Sequence, residues 1–112
     1  MSSDPESQAA PPAYFIVEVE IYDAATFGLY FERAEATFRP FGGRVVRFGA
    51  TLLPAEGIQS ENARVGIVAF PSLKAGQDWF QSPAYRKIIP LRHRSAKTRA
   101  YFIEGPFQAP LA

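Results

Sequence analysis

Four side chains in this sequence, Asp23, Tyr30, Tyr85 and Arg92, form a loose constellation that could line a pocket for a small organic acid. A guanidinium holds a carboxylate or enolate, and tyrosine hydroxyls orient it by hydrogen bonding. A pocket between helices and a sheet would let residues from separate elements converge on such a ligand. Each of the four also has a plainer role. Asp23 can cap a helix, the tyrosines can pack in a core, and Arg92 can be solvated or paired. The plain role is stronger for Asp23 than for Arg92.

Other chemistry-bearing residues carry weaker signals. His93 is the single histidine, and an ordinary imidazole pKa of about 6.5 suits acid–base work. It sits between Arg92 and Arg94, whose charges oppose a further positive charge, so it reads as a surface or structural residue. It would ligate haem only by facing a pocket. Glu18 and Glu20 share one face of a strand, where two carboxylates can divide acid and base roles. The favoured reading is that they pair with Arg44, Arg64 or Arg99 across the sheet, or with a second chain. Trp79 reads as a core anchor that could also line the pocket. One His and no Cys cannot build a histidine-rich or thiolate metal site, so neither metal nor cofactor is expected. Gly42-Gly43 lacks the Lys and Ser/Thr of a phosphate loop. No serine sits in a nucleophile elbow.

The chain that must position these groups has 112 residues, 47% of them hydrophobic, with 10 Phe. That is the size of one domain, able to bury roughly two-thirds of its extended surface without staples. The net charge of +1 gives no argument for nucleic acid, although Arg86, Lys87, Arg92, Arg94, Lys97 and Arg99 cluster late in the chain. No apolar run has the length of a membrane span. The start has neither the basic stretch nor the apolar core of a secretory leader. A cytoplasmic protein is expected. Residues 1–13 read as a disordered tail, too polar to offset ordering entropy. The domain occupies 14–105, and 106–112 form a second tail whose Phe107 and Leu111 could dock on a neighbour.

Within the domain, hydrophobic periodicity marks the elements. Tyr14 to Tyr22 alternates. Phe15, Val17, Val19 and Ile21 face helices; Tyr14, Ile16, Glu18, Glu20 and Tyr22 face away. Asp23 is the expected N-cap of a helix whose core stripe is Phe27, Tyr30, Phe31, Ala34 and Phe38. Pro40 and Gly42-Gly43 end that helix. Arg44 to Leu53 is a second strand, bent or bulged near Gly49, and Arg64 to Phe70 a buried central third strand. A second helix is capped by Ser72, with Leu73, Gly76, Trp79 and Phe80 near its inner face. Ser82-Pro83 restarts it, and Pro90 is expected to kink or break it. Thr98 to Glu104 is the last strand. Two strand–helix–strand units of this kind predict a ferredoxin-like α+β fold: a four-stranded antiparallel sheet with two helices on one face.

These elements resemble the domain-of-unknown-function family thirteen-thirty, within the dimeric α/β-barrel superfamily. The resembling features are Tyr14 with its strand to Asp23, Tyr30, Gly42-Gly43-Arg44, Phe70-Pro71-Ser72, Trp79-Phe80, Ser82-Pro83 with Tyr85, Leu91-Arg92, and Glu104-Gly105. They span nearly the whole chain except its tails. Pro90 and His93 depart from the pattern. The resemblance implies a homodimer whose uncovered sheet faces meet in a closed barrel. Relatives in the superfamily include cofactor-independent monooxygenases, muconolactone isomerases and haem peroxidases, so an enzyme here would be monooxygenase- or isomerase-like.

The reading that follows is a homodimer that binds or transforms a small apolar or aromatic carboxylic or enolic metabolite without metal, through Asp23, Tyr30, Tyr85 and Arg92. The alternative is a dimerisation or binding module with no catalysis. RNA binding shares the topology but requires stacking rings on the third strand, where Val65 and Ile67 stand instead. No membrane partner is expected. In a lone subunit, Ile16, Val68 and Phe102 are expected to lie in water.

Overall fold

Alternation along the first strand sets the architecture. In β1 (Ala13–Ile21), the even spacing of Phe15, Val17 and Val19 produces one buried face, while Tyr14, Ile16, Glu18 and Glu20 on the other are half-buried. The computed structural model describes residues 11–58 and 60–105; both expected tails lie almost wholly outside that range, as do Phe107 and Leu111. The elements that follow are α1 (Ala24–Phe38), a short 3-10 turn (Arg39–Phe41), β2 (Arg44–Thr51), β3 (Ala63–Phe70), α2 (Leu73–Gln81), α3 (Pro83–His93) and β4 (Ala96–Glu104).

The four strands form one antiparallel sheet in the order β2-β3-β1-β4. Each helical connection therefore crosses over a neighbouring strand, which is the ferredoxin-like topology. The three helices pack on the face that carries Phe15, Val17 and Val19, around a core that includes Phe27, Tyr30, Phe38, Trp79, Tyr85 and Ile88. Trp79 is its hub. Its ring lies 4.9 Å from Phe15 and 4.1 Å from Tyr85, and its indole N–H donates to Thr37 Oγ1 at 2.9 Å. Aromatic pairs of this kind add to the area they bury.

Local chemistry sets the boundaries. Gly42 takes φ of 82° to turn the chain after α1, a conformation that costs glycine little. A side chain on the next residue, Gly43, would meet the Phe70 ring at 2.8 Å. In β2 the register slips on both sides of Arg47, and Gly49 has φ of 76°; this is the expected bulge. Pairing resumes at Ala50 and Thr51, and the strand ends at Thr51 rather than Leu53. Ser72 and Ser82 accept hydrogen bonds from Ala75 N and Tyr85 N, capping α2 and α3 as separate helices.

Three expectations are corrected. Phe31 is 42% exposed and stacks on Phe48 at 4.4 Å; it lies on the flank of the α1 stripe, over the edge strand. Of the kink or early break expected at Pro90, the break does not occur: α3 continues to His93. The proline ring is on the exposed side, while Ile88, Ile89, Leu91 and Arg92 are buried, and that packing outweighs the missing N–H. Ser95 Oγ donates to Leu91 O at 2.6 Å and Arg94 N to Pro90 O at 3.0 Å, finishing the helix. Finally, Val68 and Phe102 pair with Phe15 across the ladders. Directly opposed residues share a face, so both point to the helices, and Val68 is buried. The uncovered face instead carries Tyr14, Ile16, Val65, Ile67, Tyr101 and Ile103.

Candidate functional site

Two turns of α3 separate Tyr85 from Arg92, so both side chains leave the same face of the helix. That face packs on α1, where Tyr30 belongs to the buried stripe. The three side chains meet. The Tyr30 and Tyr85 hydroxyls are 2.8 Å apart, Arg92 Nη2 donates to the Tyr85 hydroxyl at 3.3 Å, and the Arg92 guanidinium carbon is 5.7 Å from the Tyr30 ring centre. All three are closed off: Tyr30 and Arg92 are 2% exposed and Tyr85 0%.

A buried guanidinium ordinarily has a carboxylate beside it. Arg92 has no carboxylate within ion-pair distance among the described residues, and its Nε is buried without a hydrogen-bond partner. The π-face of Tyr30 offsets part of that cost. So does the position of Arg92 in the last turn of α3, where carbonyl dipoles favour a cation. Burial pushes the Tyr30 hydroxyl well above its ordinary range, and Tyr85 beside it acts in the same direction. The tyrosine therefore stays protonated at physiological pH. The cluster is equipped to hold an anion by charge and hydrogen bonds, and it contains no base.

Asp23 does not join it. Its carboxylate accepts from Thr26 N at 3.1 Å and Thr26 Oγ1 at 2.8 Å, capping α1. The Thr26 backbone N–H, foremost, holds its pKa below the usual value. Its plain role is thus the observed one. His93 is exposed, and partial burial together with the Arg92 and Arg86 charges lowers its pKa.

The uncovered face holds a second polar group, built from residues far apart in sequence. Glu18 stands opposite Arg99 in the β1–β4 ladder, yet its partner is neither Arg99 nor Arg44 or Arg64. Its Oε2 accepts from the Tyr101 hydroxyl at 2.6 Å, while the Arg99 guanidinium lies 5.2 Å from the Tyr101 ring centre. Arg64 turns its Nη1 to the carbonyls of Glu61 and Ala63. Accepting the bond from Tyr101, Glu18 raises the pKa of that hydroxyl. Beside them is a hollow of about 220 Å³ lined by Glu18, Glu20, Leu52, Ser60, Lys97 and Arg99 among others. Even spacing from Tyr101 to Arg99 to Lys97 could have placed these residues on one face; the ladder register was needed to set them beside Glu18. Among the described residues no group of three or more His, Asp or Glu is placed to hold a metal ion, and no helix is long and apolar enough to cross a membrane.

The topology and the one-sided helical layer define the class: a ferredoxin-like α+β protein, similar to oxygenases and to proteins of unknown function. By sequence, residues 12–106 match the domain of unknown function family DUF1330, and the chain belongs to that family. No curated protein matches it in sequence. Among solved structures, a protein of unknown function from Rhodopseudomonas palustris is 22% identical with a TM-score of 0.69, covering 97% of this chain and 96% of its own. SnoaB, a cofactor-independent oxygenase from Streptomyces nogalater, is 19% identical with a TM-score of 0.64, covering 91% and 100%. A dimeric protein of unknown function from Bacteroides fragilis, with a ferredoxin-like fold, is 13% identical with a TM-score of 0.59, covering 84% and 96%. At these identities the likeness establishes the fold.

Proposed function

We propose that the protein is a homodimer, paired through its uncovered sheet faces, in which each subunit binds a small apolar or aromatic molecule bearing a carboxylate or enolate. The observation that carries this reading is Arg92: a buried cation with an unpartnered Nε, no carboxylate beside it among the described residues, and two tyrosine hydroxyls alongside. A ligand's anionic oxygen would supply the missing charge. The aromatic walls of Tyr30, Tyr85 and Trp79 suit a flat apolar body. Access requires α1 and α3 to separate locally, because the cluster is closed. Asp23 would act only by fixing the start of α1.

Pairing is supported by the half-exposed apolar row of Tyr14, Ile16, Val65 and Ile67, by Ile103 at 47% exposure, and by the dimeric relative of the same fold. The open-face positions of β3 are Val65 and Ile67, which offer no ring for a base to stack on. Any chemistry would follow the cofactor-independent pattern of the oxygenase relative, with binding in the Arg92 cluster as its first step.

Native mass spectrometry of protein purified without refolding tests the reading. A two-copy species retaining a small acidic molecule is expected, and the molecule should be lost in Arg92→Met. A ligand-free dimer that also fails to take up added aromatic carboxylates would reduce the protein to a pairing module.

A further inference from the structure

The hollow on the uncovered face carries charges of both signs that do not neutralise each other. Glu18 faces Arg99 and Glu20 faces Lys97 across the β1–β4 ladder. Opposite charges so placed ordinarily pair. Neither does: the ion pairs among the described residues are Arg39–Glu35 and Lys74–Asp78, both within helices. Tyr101 accounts for the first case. Its hydroxyl binds Glu18 at 2.6 Å and its ring receives Arg99 at 5.2 Å, so one side chain engages both would-be partners and keeps them apart.

Size and lining narrow what fits. A hollow of about 220 Å³ has room for on the order of seven waters and is smaller than the usual drug-sized pocket. A simple anion would be repelled by Glu18 and Glu20, and a simple cation by Lys97 and Arg99. A molecule carrying both charges meets a partner for each. Leu52 and Ala63 add an apolar patch to the same lining. We infer that this hollow binds a small zwitterion of the α-amino acid class, its ammonium on Glu18 and Glu20, its carboxylate on Lys97 and Arg99, and an aliphatic side chain against Leu52 and Ala63. Tyr101 is the positioning residue that keeps the charges available. The inference is independent of the Arg92 cluster. Pairing through this face would roof the hollow but is not required for binding.

Calorimetric titration at low salt with L-leucine, isocaproate and isoamylamine tests it. Isocaproate lacks the ammonium and isoamylamine the carboxylate. Leucine should bind saturably, and each analogue about tenfold or more weakly, as for loss of a charged hydrogen bond. Glu18→Gln and Arg99→Gln should each weaken leucine by a similar factor. Tyr101→Phe, which keeps every charge but lets Glu18 and Arg99 close, should weaken it too. No saturable binding of leucine to the wild type, or isocaproate binding as tightly as leucine, would overturn the inference. So would leucine affinity that is unchanged in both Gln variants. Sedimentation of the same proteins separates the two proposals: a wild type that runs as single copies removes the pairing while the leucine result stands by itself. Variants that fall apart, combined with no leucine binding in the wild type, assign the charges to pairing and end the inference.

Discussion

The two faces of the sheet each place a tyrosine hydroxyl beside a charged group, with opposite consequences. On the helix side, Tyr30 and Tyr85 flank a buried cation, and burial is the main cause of the raised Tyr30 pKa. On the uncovered side, Tyr101 binds a half-buried carboxylate, and the hydrogen bond it donates to that carboxylate is the main cause of its shift. The same residue type thus serves a desolvated site through its surroundings and a solvated one through a single partner. The first arrangement keeps a lone charge at a cost in stability, which points to a use for it. The second keeps paired signs apart at little cost, because water screens them.

The sharpest way to break this comparison is with neighbours on β1. Phe15 is 2% exposed among the core rings, so Phe15→Ala should cost about 3–5 kcal/mol in urea unfolding. Ile16, the next residue, faces the uncovered side. Ile16→Ala should cost about 1 kcal/mol within the subunit and show itself instead in the dissociation constant of the pair measured by sedimentation. Equal costs would mean that the two faces do not differ as described.

A smaller contrast lies in the hydroxyls. Tyr85→Phe removes the group that both Tyr30 and Arg92 engage and leaves two buried polar partners unsatisfied, so a loss of about 1–3 kcal/mol is expected. Tyr101→Phe leaves behind a half-buried carboxylate that water and Arg99 can reach, and its loss should be about 0.5 kcal/mol. Denaturant midpoints of the two variants measured together would check the order.

The smallest expected difference is in alkali. Tyr30 and Tyr101 both have folded pKa values above the ordinary 10.0, so the fold favours their protonated forms. Their contribution is complete below about pH 10 and is lost as pH rises from there toward the folded values. Urea midpoints should therefore fall above pH 10, and Tyr101→Phe should remove part of that fall. A midpoint that rises above pH 10 would contradict the sign.

Much of this was legible in the residues. Alternation in β1, the Asp23 and Ser72 caps, the glycine turn after α1 and the restart at Ser82-Pro83 are local signals, and each appears where its local chemistry put it. Spacing along one helix also placed Tyr85 and Arg92 together. What failed depended on the surroundings. Pro90 is tolerated because its neighbours on α3 are buried, and Phe31 is exposed because the sheet ends beneath it. The faces of Val68 and Phe102 follow from ladder register, which a single strand does not state. The Glu18–Tyr101 bond spans 83 residues of sequence, and no short-range pattern carries it.

The proposed binding depends on Arg92 being kept for a ligand's negative charge. Thermal unfolding of the wild type and of Arg92→Met, each with and without 2-naphthoate as an aromatic carboxylate probe, tests this most directly. The predicted result is that Arg92→Met alone is as stable as the wild type or more so, since a buried unpaired charge is replaced by an apolar side chain, and that naphthoate raises the unfolding temperature of the wild type but not of the variant. A destabilised variant whose unfolding temperature responds to naphthoate just as the wild type does would contradict it.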